Sequence, residues 1–209
     1  MTVAFGYPVS LDLTGRRAVV IGAEAIRQGK ADALVAAGAD VTVRGEDEWA
    51  PADLDGAFLC VASSPDAATR AAIYRAGRER GVLMNVMDDV PHCDFAAPAV
   101  VRRGDLTFAV ATGGRSPALA RRLRERLERA FGPEWAEALD VLGEVRDETL
   151  PLLPDLGDRA RRWSAALDED ELVRLVRDGR RGEAKERLRR RLLDGETVGR
   201  SPSAVGATT

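Results

Sequence analysis

Residues 17–43 read RAVVIGAEAIRQGKADALVAAGADVTV, and this stretch decides the fold. Arg17–Ile21 is a short β-branched run, as a buried strand requires. It meets Gly22, a residue suited to a tight turn. Ala25–Ala37 then carries good helix formers and stops at Gly38, a natural residue just past a helix end. Asp40–Val43 is a second β-branched run. Strand, turn, helix and strand make a βαβ start, whose generic ligand is a dinucleotide with its pyrophosphate at the helix N-terminus.

The pattern continues outward. Phe58–Ala62 reads as a third strand, Pro65–Arg80 as a helix ending at Gly81, and Val82–Val86 as a fourth strand. Continuous apolar strands separated by helices imply a parallel sheet covered on both faces. Ala99–Arg102 and Leu106–Ala111 flank Arg103-Gly104-Asp105 and read as a hairpin. Ser116-Pro117 is a helix start, with Ser at the cap and Pro at the first helical position. Leu119, Leu123 and Leu127 mark one face of a helix running to about Phe131. Glu134–Leu193 reads as helical, with breaks at Pro151, Pro154, Gly157 and Gly179–Gly182. The tail Asp194–Thr209 is rich in small residues and is expected to be disordered. The fold class is therefore α/β: a Rossmann-like parallel sheet domain followed by a helical region.

Composition narrows the chemistry. The 209 residues hold one histidine, His92, and two cysteines, Cys60 and Cys93. That count excludes a zinc ribbon, a four-cysteine cluster, a two-histidine metalloprotease motif and a disulfide scaffold. Metal chemistry would rest on carboxylates, the substrate or the single imidazole. No apolar run reaches the roughly 18 residues of a membrane span, and Met1–Leu13 lacks a signal-peptide pattern. A cytoplasmic protein is expected. The net charge is −3, so the chain as a whole is no attractor of nucleic acid. Arg174–Arg191 holds nine basic and three acidic residues, but its interleaved Leu and Val fit an amphipathic helical pair better than a nucleic-acid surface. Neither nucleic acid nor membrane is an expected partner.

The dinucleotide fingerprint, G-x-G-x-x-G/A, is only partly present. Gly22 fills the first position, while Glu24 and Arg27 occupy the second and third. The candidate cofactor-binding residues are Gly22, Ala23, Glu24, Ala25, Ile26 and, at the end of the second strand, Arg44. An acid there would hold an adenosine ribose and an arginine would favour a 2′-phosphate. Arg44 is followed by Glu46, Asp47 and Glu48, so both readings stay open beside that of a solvated loop. Arg44–Ala57 leaves room for a crossover but not for a further helix and strand.

Several blocks together resemble the precorrin-2 dehydrogenase/sirohydrochlorin ferrochelatase family, the dehydrogenase–chelatase module of siroheme synthase. They are Tyr7-Pro8-Val9-Ser10-Leu11-Asp12-Leu13; Lys30–Ala39; Asn85-Val86-Met87-Asp88-Asp89; Cys93-Asp94-Phe95 with Pro98-Ala99; and Thr112-Gly113-Gly114-Arg115-Ser116-Pro117-Ala118-Leu119-Ala120. The resemblance covers residues 5–193, with a gap after Val43 where the family carries another helix and strand. It implies a homodimer with a Rossmann-like NAD-binding domain (1–112), a dimerisation segment (113–150), a helical C-terminal domain (151–193) and the tail (194–209). It also implies oxidation of precorrin-2 to sirohydrochlorin with NAD, followed in some members by insertion of Fe²⁺. Asp88 matches a residue implicated in catalysis, and Thr112 a Ser/Thr before paired glycines at the tetrapyrrole site.

The chemistry suits those residues. A polycarboxylate macrocycle calls for arginines and helix N-terminal amides, which Thr112, Gly113, Gly114, Arg115 and Ser116 can supply, with Arg121 and Arg122 a turn later. Asp88 ends a parallel strand, where ligands of open α/β sheets bind; it could take a proton or guide Fe²⁺. His92 lies in the same loop and is either a proton-transfer group or incidental. Cys60 reads as core. The alternatives to a dehydrogenase are a chelatase without the dinucleotide and a non-catalytic tetrapyrrole-binding homologue.

Overall fold

The computed structural model describes residues 5–195. Beyond Gly195, the expected disordered tail lies outside the described residues. Contacts divide the described residues into two units: 5–98 with 111–117, and 99–110 with 118–195. The hairpin of residues 99–110 thus groups with the helices, and the Thr112–Ser116 turn with the sheet.

The first unit is a four-stranded parallel sheet of β1 (Arg17–Ile21), β2 (Asp40–Arg44), β3 (Leu59–Ala62) and β4 (Leu83–Val86), in the order β2-β1-β3-β4. Helix α1 (Glu24–Val35) joins β1 to β2, and α2 (Ala67–Glu79) joins β3 to β4. Strand alternation sorts the side chains onto two faces. Val19, Ile21, Cys60, Ala62, Met84 and Val86 pack with Ile73 and Ala76 of α2. Ala18, Leu59 and Val61 face the other way, with Leu34 near the end of α1 and Leu13 from the chain preceding β1. A sheet covered on both faces needs strands that are apolar throughout, and β3 is buried at every position.

The short Arg44–Ala57 link works because one residue replaces a helix. It forms a 3₁₀ turn, Pro51–Leu54, and Leu54 inserts with no exposure among the α2-side residues. The Asp53 carboxylate accepts from the Ala50 N–H at 2.8 Å and from Arg44 Nε at 2.8 Å, while Arg17 Nη2 donates to the Asp53 carbonyl at 3.0 Å. The link is thereby anchored to β2 through Arg44 and to the neighbouring strand β1 through Arg17. Helix α2 begins where the Asp66 carboxylate accepts from the Thr69 N–H at 2.7 Å, an N-cap bond.

The second unit pairs β5 (Ala99–Arg103) with β6 (Leu106–Val110) antiparallel. It continues through α3 (Pro117–Ala130), α4 (Glu134–Thr149), α5 (Leu156–Ala166), α6 (Glu169–Arg177) and α7 (Arg181–Asp194). Val141, Val145, Ala166, Leu175, Val176, Leu188 and Leu192 form its core. Gly157 and Gly182, read as breaks, lie inside the first turns of α5 and α7, where a missing side chain costs little because the first N–H groups have no intrahelical partner anyway. The chain between α4 and α5 breaks instead at residues 150–155, around Pro151 and Pro154. Many bases of the Arg174–Arg191 stretch are paired: Arg181 with Glu144, Lys185 with Glu144 at 2.9 Å and Glu148 at 2.8 Å, and Arg191 with Glu171 at 2.7 Å. Its apolar residues are the ones that enter the core.

Leu54 gives the sheet unit a direct test. Leu54→Ala should cost about 2–5 kcal/mol of stability in urea denaturation, whereas Leu152→Ala, at an exposed position, should stay within about 0.5 kcal/mol.

Candidate functional site

All four parallel strands end at one crevice. Its walls include Ala23 and Ile26 after β1, Glu46 after β2, Ser63, Ser64 and Pro65 after β3, Met87 and Asp88 after β4, and Arg70 of α2; its volume is about 410 Å³. The chain leaves β1 for β2 on one side and returns to β3 on the other, so the crevice stands at the topological switch point, the ligand position of open α/β sheets. Gly22 makes the close approach possible. The Ser63 N–H donates to the Ile21 carbonyl at 2.9 Å, and a Cβ on residue 22 would collide with Ser63 Oγ and lie 3.1 Å from its carbonyl oxygen. Ala23 caps α1 with no side-chain hydrogen bond, which leaves first-turn N–H groups available. Glu24 is exposed and is not among the residues lining the crevice.

Arg44 has another task. Its Nε pairs with Asp53, its Nη1 donates to the Val43 carbonyl at 3.0 Å, and it does not line the crevice; Glu46 does. The Ala50 N–H, followed by Arg44, holds the Asp53 carboxyl below its ordinary range against the cost of desolvation.

The two adjacent acids after β4 separate. Asp88 is an exposed residue with φ at 60°, in the left-handed region, and its carboxylate has no hydrogen bond or ion pair among the described residues. Asp tolerates that conformation better than most residues, and backbone strain of this kind gathers at functional sites. Asp89 turns inward. Its Oδ2 lies 2.9 Å from Arg70 Nε and 3.0 Å from His92 Nδ1, and the His92 ring packs against Tyr74 in a tilted arrangement with ring centroids 4.9 Å apart. Arg70 Nη1 donates to the carbonyls of Ser64 at 2.9 Å and Pro65 at 3.0 Å. The neighbouring His92, then the bonded Arg70, lower the Asp89 pKa. His92 therefore serves Asp89 and not Asp88.

The segment beyond this loop folds back on β4. Asn85 bridges to Cys93, Asn85 Nδ2 donates to the Phe95 carbonyl at 2.7 Å, and Asp94 accepts from the Met84 N–H at 2.9 Å. Cys93 Sγ donates to the Val86 carbonyl at 3.1 Å. Cys60 is fully buried, and desolvation pushes its thiol up to about 12. Among the described residues no group of three His, Cys, Asp or Glu is placed to hold a metal ion.

In the Thr112–Ser116 turn, Gly113 and Gly114 have φ of 59° and 76°, conformations open to glycine at little cost. Arg115 N–H donates to the Thr112 carbonyl at 3.1 Å, and Ser116 N–H to Thr112 Oγ1 at 3.2 Å. Gly114 stands beside Val90, two residues past Asp88; a Cβ there would lie 3.6 Å from Val90 Cγ2. Arg121 pairs with Glu125 along α3.

The structure thus brings Ala23, Ile26 and Asp88 to one crevice and places Gly22 at its base. Glu24, Ala25 and Arg44 lie outside its lining. Sequence reasoning missed Ser63, Ser64 and Arg70. The serines follow a buried strand directly and could have been found by the rule that locates ligands at strand carboxyl ends. Arg70 gave no such signal, because its partner lies 19 residues away.

Comparison with known proteins bears on this geometry. Residues 9–99 match the NAD(P)-binding family and residues 103–130 the central family of sirohaem biosynthesis proteins. Siroheme synthase 1 of Pectobacterium atrosepticum is 32% identical over 95% of this chain and 45% of its own length. Siroheme synthase of Chromobacterium violaceum is 33% identical over 90% of the chain and 44% of its own length. The chain spans about half the length of these relatives. The solved structure of SirC, a precorrin-2 dehydrogenase, matches with a TM-score of 0.59 at 21% identity, covering 87% of this chain and 98% of that one; it shares the fold. No helix among the described residues is long and apolar enough to cross a membrane.

The lowered Asp89 pKa carries a signed consequence. The stabilisation from its ion pairs is complete above the ordinary carboxyl value of about 3.8 and is lost as pH falls through the lower folded value. Asp89→Asn should therefore lower stability at pH 7 and flatten its fall between pH 5 and 2, measured by thermal melting across that range.

Proposed function

We propose that this chain, a relative of the siroheme synthases, is an NAD-dependent precorrin-2 dehydrogenase yielding sirohydrochlorin. The observation that carries the reading is Asp88, an unpaired carboxylate held at the end of β4 in a crevice at the sheet's switch point.

The residues present fit a dinucleotide. Gly22 and Ala23 put bare backbone at the base of the crevice, and the uncapped start of α1 offers N–H groups to a pyrophosphate. Glu24 departs from the fingerprint but stays off the crevice wall. Glu46 suits the ribose hydroxyls, and Arg44, committed to Asp53, is not free to receive a 2′-phosphate, which favours NAD over NADP. What NAD supplies when bound is an acceptor for the hydride. Asp88 takes the accompanying proton onto its carboxylate as general base. The Thr112–Ser116 turn, with Arg115 exposed upon it, holds carboxylate arms of the tetrapyrrole.

The same carboxylate suits insertion of Fe²⁺ into sirohydrochlorin, with Fe²⁺ as a substrate. The ring nitrogens supply the metal's ligands and lose their two N–H protons, which the solvent-exposed Asp88 accepts one at a time and passes to water. The protein works as a cytoplasmic homodimer. Helix α3 buries none of its residues in the single chain, although Leu119, Leu123 and Leu127 share one face, so within the expected dimerisation segment 113–150 it is α3 that offers the dimer contact, while α4 shares its core with the helices of 151–193.

The purified protein should convert precorrin-2 with NAD to sirohydrochlorin and form NADH in a 1:1 ratio; absence of both products refutes the reading. Asp88→Asn should lower kcat by about 10²–10⁴-fold and leave NAD affinity unchanged by titration. Fe²⁺ added to sirohydrochlorin without NAD should shift the absorption spectrum, and a static spectrum removes the chelatase half. Light scattering should give twice the chain mass, and Leu123→Asp should give the monomer.

A further inference from the structure

We propose that Arg70 is an anchoring residue for a carboxylate arm of the substrate, an anion site next to Asp88 that is oriented by Asp89 and His92. This inference rests on the tetrapyrrole reading above.

The crevice has three charged wall residues, Glu46, Asp88 and Arg70. Two are acids, so the approach of a polyanion there depends on the third. A guanidinium carries its donors in one rigid plane. Arg70 spends Nε on Asp89 and Nη1 on the Ser64 and Pro65 carbonyls, with no partner for Nη2 among the described residues. Fixing two edges of a planar fork fixes the direction of the remaining one. His92 Nδ1 lies 3.0 Å from Asp89 on its other side, and the imidazole packs against Tyr74.

The arrangement exceeds what an ion pair needs for stability. One contact would neutralise the charge; here three acceptors orient it beside the crevice. Ordering the arginine in advance removes a cost that binding would otherwise carry. The anion belongs to the tetrapyrrole rather than to the cofactor. Arg70 bonds to the loop after β3 and to Asp89 after β4, whereas a dinucleotide's phosphates would be held by the start of α1 after β1.

Arg70→Gln, Arg70→Lys and His92→Ala test this in the full chain, by steady-state kinetics with precorrin-2 and NAD varied separately and by direct titration of sirohydrochlorin. Arg70→Gln should raise KM for precorrin-2 about tenfold or more, with KM for NAD unchanged and kcat within about twofold. Arg70→Lys should recover only part of the loss, since an ammonium keeps the charge without the fork. His92→Ala should raise the same KM by a smaller factor, a shift that a purely structural role would not confine to one substrate. A rise in KM for NAD alone assigns the anion to a phosphate and overturns the proposal, as does a fall in melting temperature with both KM values intact. If the wild type binds sirohydrochlorin without turnover, the dehydrogenase reading fails but the anchor is still measured. A tenfold weaker titration of Arg70→Gln then supports it, and equal affinity overturns it. No tetrapyrrole binding by the wild type overturns both. Should Arg70→Gln fail to fold, Arg70→Lys and His92→Ala carry the same comparison.

Discussion

The close approach of β1 and β3 at Gly22 and Ser63 is the constraint on which the rest of the site depends. Parallel pairing puts Ile21 opposite Ala62, and the next residues must diverge toward α1 and toward α2. A side chain at position 22 would push them apart at the base of the crevice. Its absence lets Ser63 bond back to Ile21 and sets bare backbone where a dinucleotide phosphate would lie. The fingerprint's first glycine therefore has a packing reason that does not depend on the second. Glu24 can replace that second glycine because its side chain lies off the crevice wall.

The second constraint is electrostatic. Two adjacent carboxylates after β4 would repel each other if both faced the crevice. The fold gives Asp89 two cationic or hydrogen-bonding neighbours and turns Asp88 to solvent in a left-handed conformation. One acid becomes structural and the other keeps an unpaired carboxylate on the crevice wall. Arg70 couples the two, since the group that neutralises Asp89 also shapes the wall beside Asp88. The same economy appears in the Arg44–Ala57 link, where one buried leucine and an arginine–aspartate pair do the work of a missing helix.

Much of this was legible in the residue order. The strands were readable because β-branched runs between helix formers have few other uses. The helix ends were readable because Gly38 and Gly81 stop what precedes them. The block Asn85–Asp89 with Cys93–Phe95 was recognisable as a unit, and its internal spacing reflects the fold-back in which Asn85 meets Cys93 and Asp94 meets Met84. The roles of Arg44 and His92 were not readable. Each could bond to a ligand or to its own chain, and the choice depends on partners brought near by chain reversal.

The sequence by itself determined the alternation of strands and helices, the shared face of leucines on α3 and the position of Asp88 at a strand's carboxyl end, because these follow from periodicity and local turn chemistry. Only the tertiary structure decided which of two neighbouring acids stays free, which of Arg44 and Glu46 faces the crevice, and that Arg70 stands beside them. The physical reason is range: propensity and turn geometry act over a few residues, whereas an ion pair or a crevice wall is made by groups far apart in the chain that pairing of parallel strands brings within 3 Å.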